Sequence, residues 1–241
     1  MSGASLQVES AGQGRRVALV HGELCDARAW GPQWPGLVGL FAACRLDLPG
    51  YGGSPLPPAP TCPAAAVLEV LAPADDQVAL VGAGIGARVA LELAVARPAI
   101  VSALVLVAPT LDLDVAGAEP AALLAGRVDA CGTASAEARA LAADSCRVAH
   151  ERRTAGEGPF VPLVPDLEAR LGEIAAPTLV VAGEHDLPRL RDLADALAAA
   201  IPAAGRVDVA GAGPLPSLER PDLVSGMVIG FLARVGVLPS F

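Results

Sequence analysis

Short apolar runs alternate with stretches of helical patterning over the first 110 residues of the chain. Leu6 to Glu9 alternates at period two, as a half-exposed antiparallel strand does, whereas Val17 to Val20 is continuously apolar, as a buried parallel strand would be. The pattern then predicts a helix around Trp30 to Leu40, a strand at Cys44 to Leu48 and, after the proline-rich stretch Pro55 to Pro60, a helix over Thr61 to Leu71. A strand at Val78 to Val81, a helix over Gly86 to Ala96 and a strand at Val101 to Val107 follow. Strands separated by helices imply a mostly parallel sheet covered on both faces.

From Asp112 to about Gly172 this rhythm stops. The segment is rich in Ala, Glu and Arg, with helical patterns at Pro120 to Val128 and Ser135 to Arg153. It reads as a small helical cap, residues 112–172, inserted into a core made of 1–111 and 173–241. The rhythm resumes with a strand at Pro177 to Ala182, a helix over Arg189 to Ala200, a strand at Arg206 to Val209 and a last helix over Pro221 to Val235.

Composition changes this picture little. The 241 residues are 53% hydrophobic, but no apolar run is long enough to span a bilayer. Net charge is −9, which disfavours nucleic acid and anionic membranes as partners. All 17 positive residues are arginine, and together with the abundant alanine this suggests a GC-rich, bacterial genome. Five cysteines, Cys25, Cys44, Cys62, Cys131 and Cys146, form no CxxC pair and point to reduced thiols in a cytoplasm, as does the lack of a secretory leader pattern. His21, His150 and His185 have no metal-ligand spacing, so neither metal nor cofactor is expected.

Five segments carry a resemblance. They are His21-Gly22-Glu23-Leu24, the loop Asp47-Leu48-Pro49-Gly50-Tyr51-Gly52-Gly53-Ser54, the turn Gly82-Ala83-Gly84-Ile85-Gly86, the loop Gly183-Glu184-His185-Asp186-Leu187-Pro188, and Gly211-Ala212-Gly213-Pro214-Leu215-Pro216-Ser217-Leu218-Glu219-Arg220-Pro221. In this order they resemble the motifs of the α/β-hydrolase fold along essentially the whole chain. The resemblance implies that Gly84 stands at the nucleophile position of a G-x-S-x-G elbow and Pro214 at the position of the catalytic histidine. It places Asp186 at the triad acid and the backbone N–H groups of Glu23 and Ile85 at the oxyanion hole.

Glycine offers no nucleophile and proline no base. Loss of either group in such a triad costs about 10⁶ in rate. Asp186 and Glu23 are then the candidate acid–base groups, and Leu24, Cys25, Gly84, Ile85, Pro214 and Leu215 the candidate ligand-binding residues. The bland alternatives are a vestigial Asp186 bonded to loop amides, a solvent-facing Glu23, a packing role for Cys25, a loop-bracing His21 and a solvated His150.

Three functions fit. The first is a repurposed isomerase, cyclase or lyase that acts on a small apolar carbonyl-containing ligand through a retained oxyanion hole. The second is a non-catalytic pseudo-hydrolase that binds a small molecule. The third is an atypical hydrolase using an acid-activated water or a cysteine. A homodimer is compatible with all three.

Overall fold

The computed structural model describes residues 5–23, 25–55, 60–72, 76–113, 135–141, 143–144 and 160–237. Seven strands form one sheet: β1 (Val8–Ala11), β2 (Arg16–Val20), β3 (Ala42–Leu46), β4 (Val78–Ala83), β5 (Val101–Val107), β6 (Thr178–Gly183) and β7 (Ala204–Val209). Their spatial order is β1-β3-β2-β4-β5-β6-β7. Only β1 runs antiparallel, paired to β3 with Val8 opposite Leu46. The central strands β2, β4 and β5 are buried almost throughout, as two-sided coverage demands.

The covering helices are α1 (Trp34–Val38), α2 (Pro63–Leu71), α3 (Ile85–Ala96), α4 (Leu167–Arg170), α5 (Pro188–Ala200), α6 (Pro216–Glu219) and α7 (Pro221–Arg234). Two apolar clusters result, one on each face of the sheet. Leu80, Leu91, Leu104 and Val180 lie in the first, and Val81, Val105, Phe231 and Leu232 in the second.

Several expected elements shift, α2, β4 and β7 by two residues at one end. The helix expected over Trp30 to Leu40 is a 3-10 turn at Ala27–Trp30 and then the five-residue α1. Gly31, Pro35, Gly36 and Gly39 break up what the apolar spacing suggested. β3 ends at Leu46, two residues early, because the Asp47 side chain is taken up by loop amides, as shown below. β1 begins two residues late.

The segment expected to form the cap lies largely outside the described residues, as do the helix expected at Pro120 to Val128, His150, Cys131 and Cys146. Within it, residues 136–141 and 143–144 are helical. Its two ends are tied to α3. Glu92, fully buried, pairs with Arg88 one turn earlier, with Nη2 to Oε1 at 3.0 Å. Arg88 Nη1 donates to the Leu111 carbonyl, and the Leu163 N–H donates to Glu92 Oε2 at 3.2 Å. One buried ion pair thus grips the chain both where it leaves the core and where it returns. Burial pushes the Glu92 carboxyl above its ordinary range against the opposing pull of its hydrogen bonds and of Arg88.

Among the described residues no helix is long and apolar enough to cross a membrane. Nor do three His, Cys, Asp or Glu residues gather as a metal site would require.

Candidate functional site

The site is built on the turn from β4 into α3. Gly84 sits there at φ 49° and ψ −120°, a conformation that strains any residue with a side chain. The Gly84 N–H donates to the Val107 carbonyl at the end of β5, 3.0 Å away, and its own carbonyl accepts from Ala87, also at 3.0 Å. The three glycines of the turn are glycine for different reasons. A Cβ at Gly82 or Gly86 would collide with backbone, namely Gly86 O and Val20 O, so helix and strand could not approach so closely. A Cβ at Gly84 would collide with the Glu23 carboxylate, which already occupies that space.

Glu23 is held there by loop bracing that starts far away in sequence. His21 is fully buried, and its Nε2 accepts the Leu48 N–H at 2.9 Å. A backbone N–H can only donate, so Nε2 carries no proton and Nδ1–H donates to the Gly22 carbonyl at 2.8 Å. Asp47 braces the same loop, its Oδ1 accepting from Ala27 N–H and its Oδ2 from Gly53 N–H, both at 2.8 Å. With the loops after β2 and β3 fastened together, Glu23 is 4% exposed and its Oε2 accepts the Ile85 N–H at 2.9 Å. That amide opens α3, where the helix dipole favours negative charge.

The family resemblance implies an Ile85 amide open to a substrate carbonyl. In the structure that amide is bonded to the chain's own Glu23 carboxylate, which occupies the space a Cβ at Gly84 would fill.

His21 carries a pH signature. Burial drives its pKa below 6.5, so the unfolded chain binds the proton more readily than the folded one. The stability this contributes is complete above about pH 6.5 and is lost as pH falls. A His21→Gln variant, compared with the parent by urea unfolding between pH 7.5 and 5, should lack a loss of up to about 1.4 kcal/mol per pH unit. Parallel pH profiles for the two proteins would show that another group is responsible.

The pocket over this turn is lined by Gly22, Glu23, Cys25, Ala29, Ala83, Gly84, Val107, Ala108, Pro214, Leu215, Pro216 and Ser217. Its volume is about 30 Å³, room for one or two waters and far below the roughly 300 Å³ or more of a drug-sized ligand site. The third wall is the loop after β7, and Glu219 shapes it. Its two carboxylate oxygens accept the N–H groups on either side of Pro214, from Gly213 at 2.6 Å and from Leu215 at 2.8 Å. Pro214 itself supplies shape and no proton-transfer group.

Of the residues singled out in the sequence, Glu23, Cys25, Gly84, Pro214 and Leu215 therefore line one pocket, and Ile85 reaches it through its amide. Leu24 lies outside the described residues. Asp186, the other expected acid–base group, is buried in the loop after β6 but does not line the pocket. Its Oδ1 accepts the Leu187 N–H at 2.8 Å. His185 is half exposed, beside Glu184 at 3.8 Å. Cys25, Cys44 and Cys62 form no disulfide, and burial pushes the Cys44 and Cys62 thiols up, away from thiolate.

Sequence reasoning missed two things. Ser217 lines the pocket, yet nothing in its type or spacing within the last motif marks it. The Arg88–Glu92 pair could have been found as the two charges, four residues apart, inside an otherwise apolar helix.

Comparison with known proteins agrees with this architecture. The chain is 38% identical over 108 residues to the pimeloyl-[acyl-carrier protein] methyl ester esterase of Methylococcus capsulatus, a stretch that is 44% of this chain and 41% of the relative. It is 37% identical over 83 residues to the biotin biosynthesis bifunctional protein BioHC of Cellvibrio japonicus, which is 34% of this chain and 16% of that one. These matches span less than half the length of either curated relative. Among solved structures, a hydrolase from Pseudomonas aeruginosa superimposes with a TM-score of 0.78 at 28% identity over 95% of each chain. MenH from S. aureus shares the fold, with a TM-score of 0.74 at 21% identity over 96% of this chain and 98% of that one. The model of the alpha/beta hydrolase family matches residues 17–226, and on this match, the sheet order and the strained β4–α3 turn, the chain belongs to the alpha/beta hydrolase family.

Proposed function

We propose that this alpha/beta hydrolase works without an acyl-enzyme. In this reading Glu23 moves a proton directly on a small uncharged carbonyl compound, in an isomerisation, cyclisation or elimination. The observation that carries the reading is the Glu23 carboxylate, inside the pocket and bonded to the Ile85 N–H at 2.9 Å over a glycine that offers no nucleophile. A carbonyl oxygen that shares or takes over the Ile85 N–H brings its α-carbon into the neighbourhood of the released carboxylate, the arrangement that enolisation needs. The esterase names of the partial relatives favour a carbonyl substrate. The 30 Å³ cavity limits what enters to the reacting head of that substrate. Asp186 plays no part in this reading, since it does not line the pocket.

The test is proton exchange. Short-chain ketones and esters are incubated in D₂O with the protein or with Glu23→Gln, and α-deuteration and ester cleavage are followed by NMR. Deuteration should be accelerated by the protein and fall by about 10²-fold or more in Glu23→Gln, the usual worth of a general base. Ester cleavage dependent on Glu23 would instead make the chain a water-activating hydrolase. No acceleration of either reaction would sink the proposal.

That last outcome would support a second reading, a ligand-holding pseudo-hydrolase. Its specific support is that the Ile85 amide already has a partner, so the oxyanion site is closed in this state.

A further inference from the structure

Among the described residues β7 is the last strand of the sheet, paired to β6 alone. The Thr178 N–H donates to the Ala203 carbonyl at 2.9 Å and the Glu184 N–H to the Val209 carbonyl at 3.2 Å. In a parallel ladder the backbone groups of alternate residues face the partner strand, so those of Gly205, Val207 and Val209 face β6. The backbone groups of Arg206 and Asp208 therefore point outwards. Gly205 and Asp208 are exposed, and Arg206 and Val207 are half-buried. An open edge is often blunted by charge, but this one carries a charge of each sign. Arg206 Nη2 and Asp208 Oδ1 meet at 2.9 Å, on the face where Arg206 Nε lies 3.2 Å from Asp195 Oδ1 of α5. Val207 lies on the other face, packed against the second apolar cluster.

We infer that β7 pairs antiparallel with β7 of a second copy of this chain, about a two-fold axis at Val207. Residues opposed in such a pair must turn their backbone groups the same way, so the axis falls at a residue and not between two. An axis at Arg206 sets Arg206 against the partner's Arg206, and an axis at Asp208 sets Asp208 against the partner's Asp208. Both put like charges face to face. At Val207 the axis sets Arg206 against the partner's Asp208, and Asp208 against the partner's Arg206. Each of these pairs exchanges two main-chain hydrogen bonds. On the other face Val207 meets the partner's Val207 at the closer, non-hydrogen-bonded spacing and carries the second cluster across the axis. At the opposite edge of the sheet β1 has one charge, Glu9, paired with Arg45, and no axis there gives an opposite-charge pair. β7 is six residues long, which puts the contact at the small end of specific interfaces, so the dimer forms at high protein concentration. None of this depends on what Glu23 does in the pocket.

Sedimentation velocity of the full-length chain, from about 5 μM to about 500 μM, covers the range of such an affinity. The weight-average mass should climb from 24.1 kDa towards twice that value. Arg206→Asp opposes only carboxylates across the axis and Asp208→Arg only guanidinium groups, so each variant alone should stay monomeric. Mixed in equal amounts they should associate again, because each strand then faces opposite charge at both positions. Asp208→Pro, which removes an outward N–H and no bond to β6, should also stay monomeric, and it carries the test if a charge reversal unfolds the chain. A circular-dichroism melt reports the folding of each variant. A parent chain that stays monomeric throughout, or a dimer unchanged in Asp208→Pro or in a folded charge reversal, would overturn the inference. So would a mixture of the two folded charge reversals that fails to associate.

Discussion

Placing a serine at position 84 and a histidine at position 214 should not by itself produce ester hydrolysis. A Gly84→Ser/Pro214→His chain is expected to hydrolyse short-acyl nitrophenyl esters no faster than the parent. The same chain carrying Glu23→Ala as well should gain 10³-fold or more. Two facts require the third change. The Glu23 carboxylate fills the space into which a side chain at position 84 would project, and it holds the Ile85 N–H that would have to stabilise an oxyanion. A serine forced in beside it would have to evict a buried carboxylate, as well as bear a positive φ that costs about 1–3 kcal/mol. The triad acts as a unit worth about 10⁶ in rate, so the gain requires Gly84→Ser and Pro214→His together, and a rise of about 10³-fold allows for imperfect geometry. The same conflict should appear in stability. Gly84→Ser should cost less in the Glu23→Ala background than alone, and the difference is a direct measure of the collision. Hydrolysis by the double variant equal to that of the triple would mean that Glu23 leaves the pocket freely.

The second large effect concerns folding. Glu92→Ala should destabilise the chain by about 3–5 kcal/mol in urea unfolding, because Arg88 is then left charged and buried. The change also strips the Leu163 N–H of its acceptor. Replacing both members, with Arg88→Met/Glu92→Leu, should recover much of the loss, since an apolar pair of similar volume carries no desolvation cost. Burial raises the Glu92 pKa above 4.5, so the folded chain holds that proton more tightly than the unfolded one. The contribution of Glu92 to stability therefore declines as pH rises from 4.5 through its folded pKa. A loss below about 1 kcal/mol in Glu92→Ala would show that the pair does not grip the two ends of the 112–162 segment.

Both effects come from side chains whose types are plain in the sequence and whose meeting is not. Sequence alone determined the order of the strands from Val17 on and of the longer helices packed on them, but not the short helices Leu167–Arg170 and Pro216–Glu219, because two-sided burial writes continuous apolar runs and a long helix writes a 3.6-residue period. It also determined that the β4–α3 turn carries no hydroxyl and the loop after β7 no imidazole, since these are facts of residue type at positions marked by their own glycines and prolines. It went astray around Trp30 to Leu40, where apolar spacing outvoted four residues that break helices.

Only the tertiary structure decided which way Glu23 points. The direction of a loop side chain has no period to read. It follows from the His21–Leu48 and Ala27–Asp47 bonds, which fasten one loop to another, and it ends in a contact between residues 62 apart. The same holds for the size of the pocket, the arrival of Ser217 on its wall, and the joining of Leu111 to Leu163 through Arg88 and Glu92. Each depends on close packing between segments distant in the chain, where geometry, not local pattern, sets what touches what.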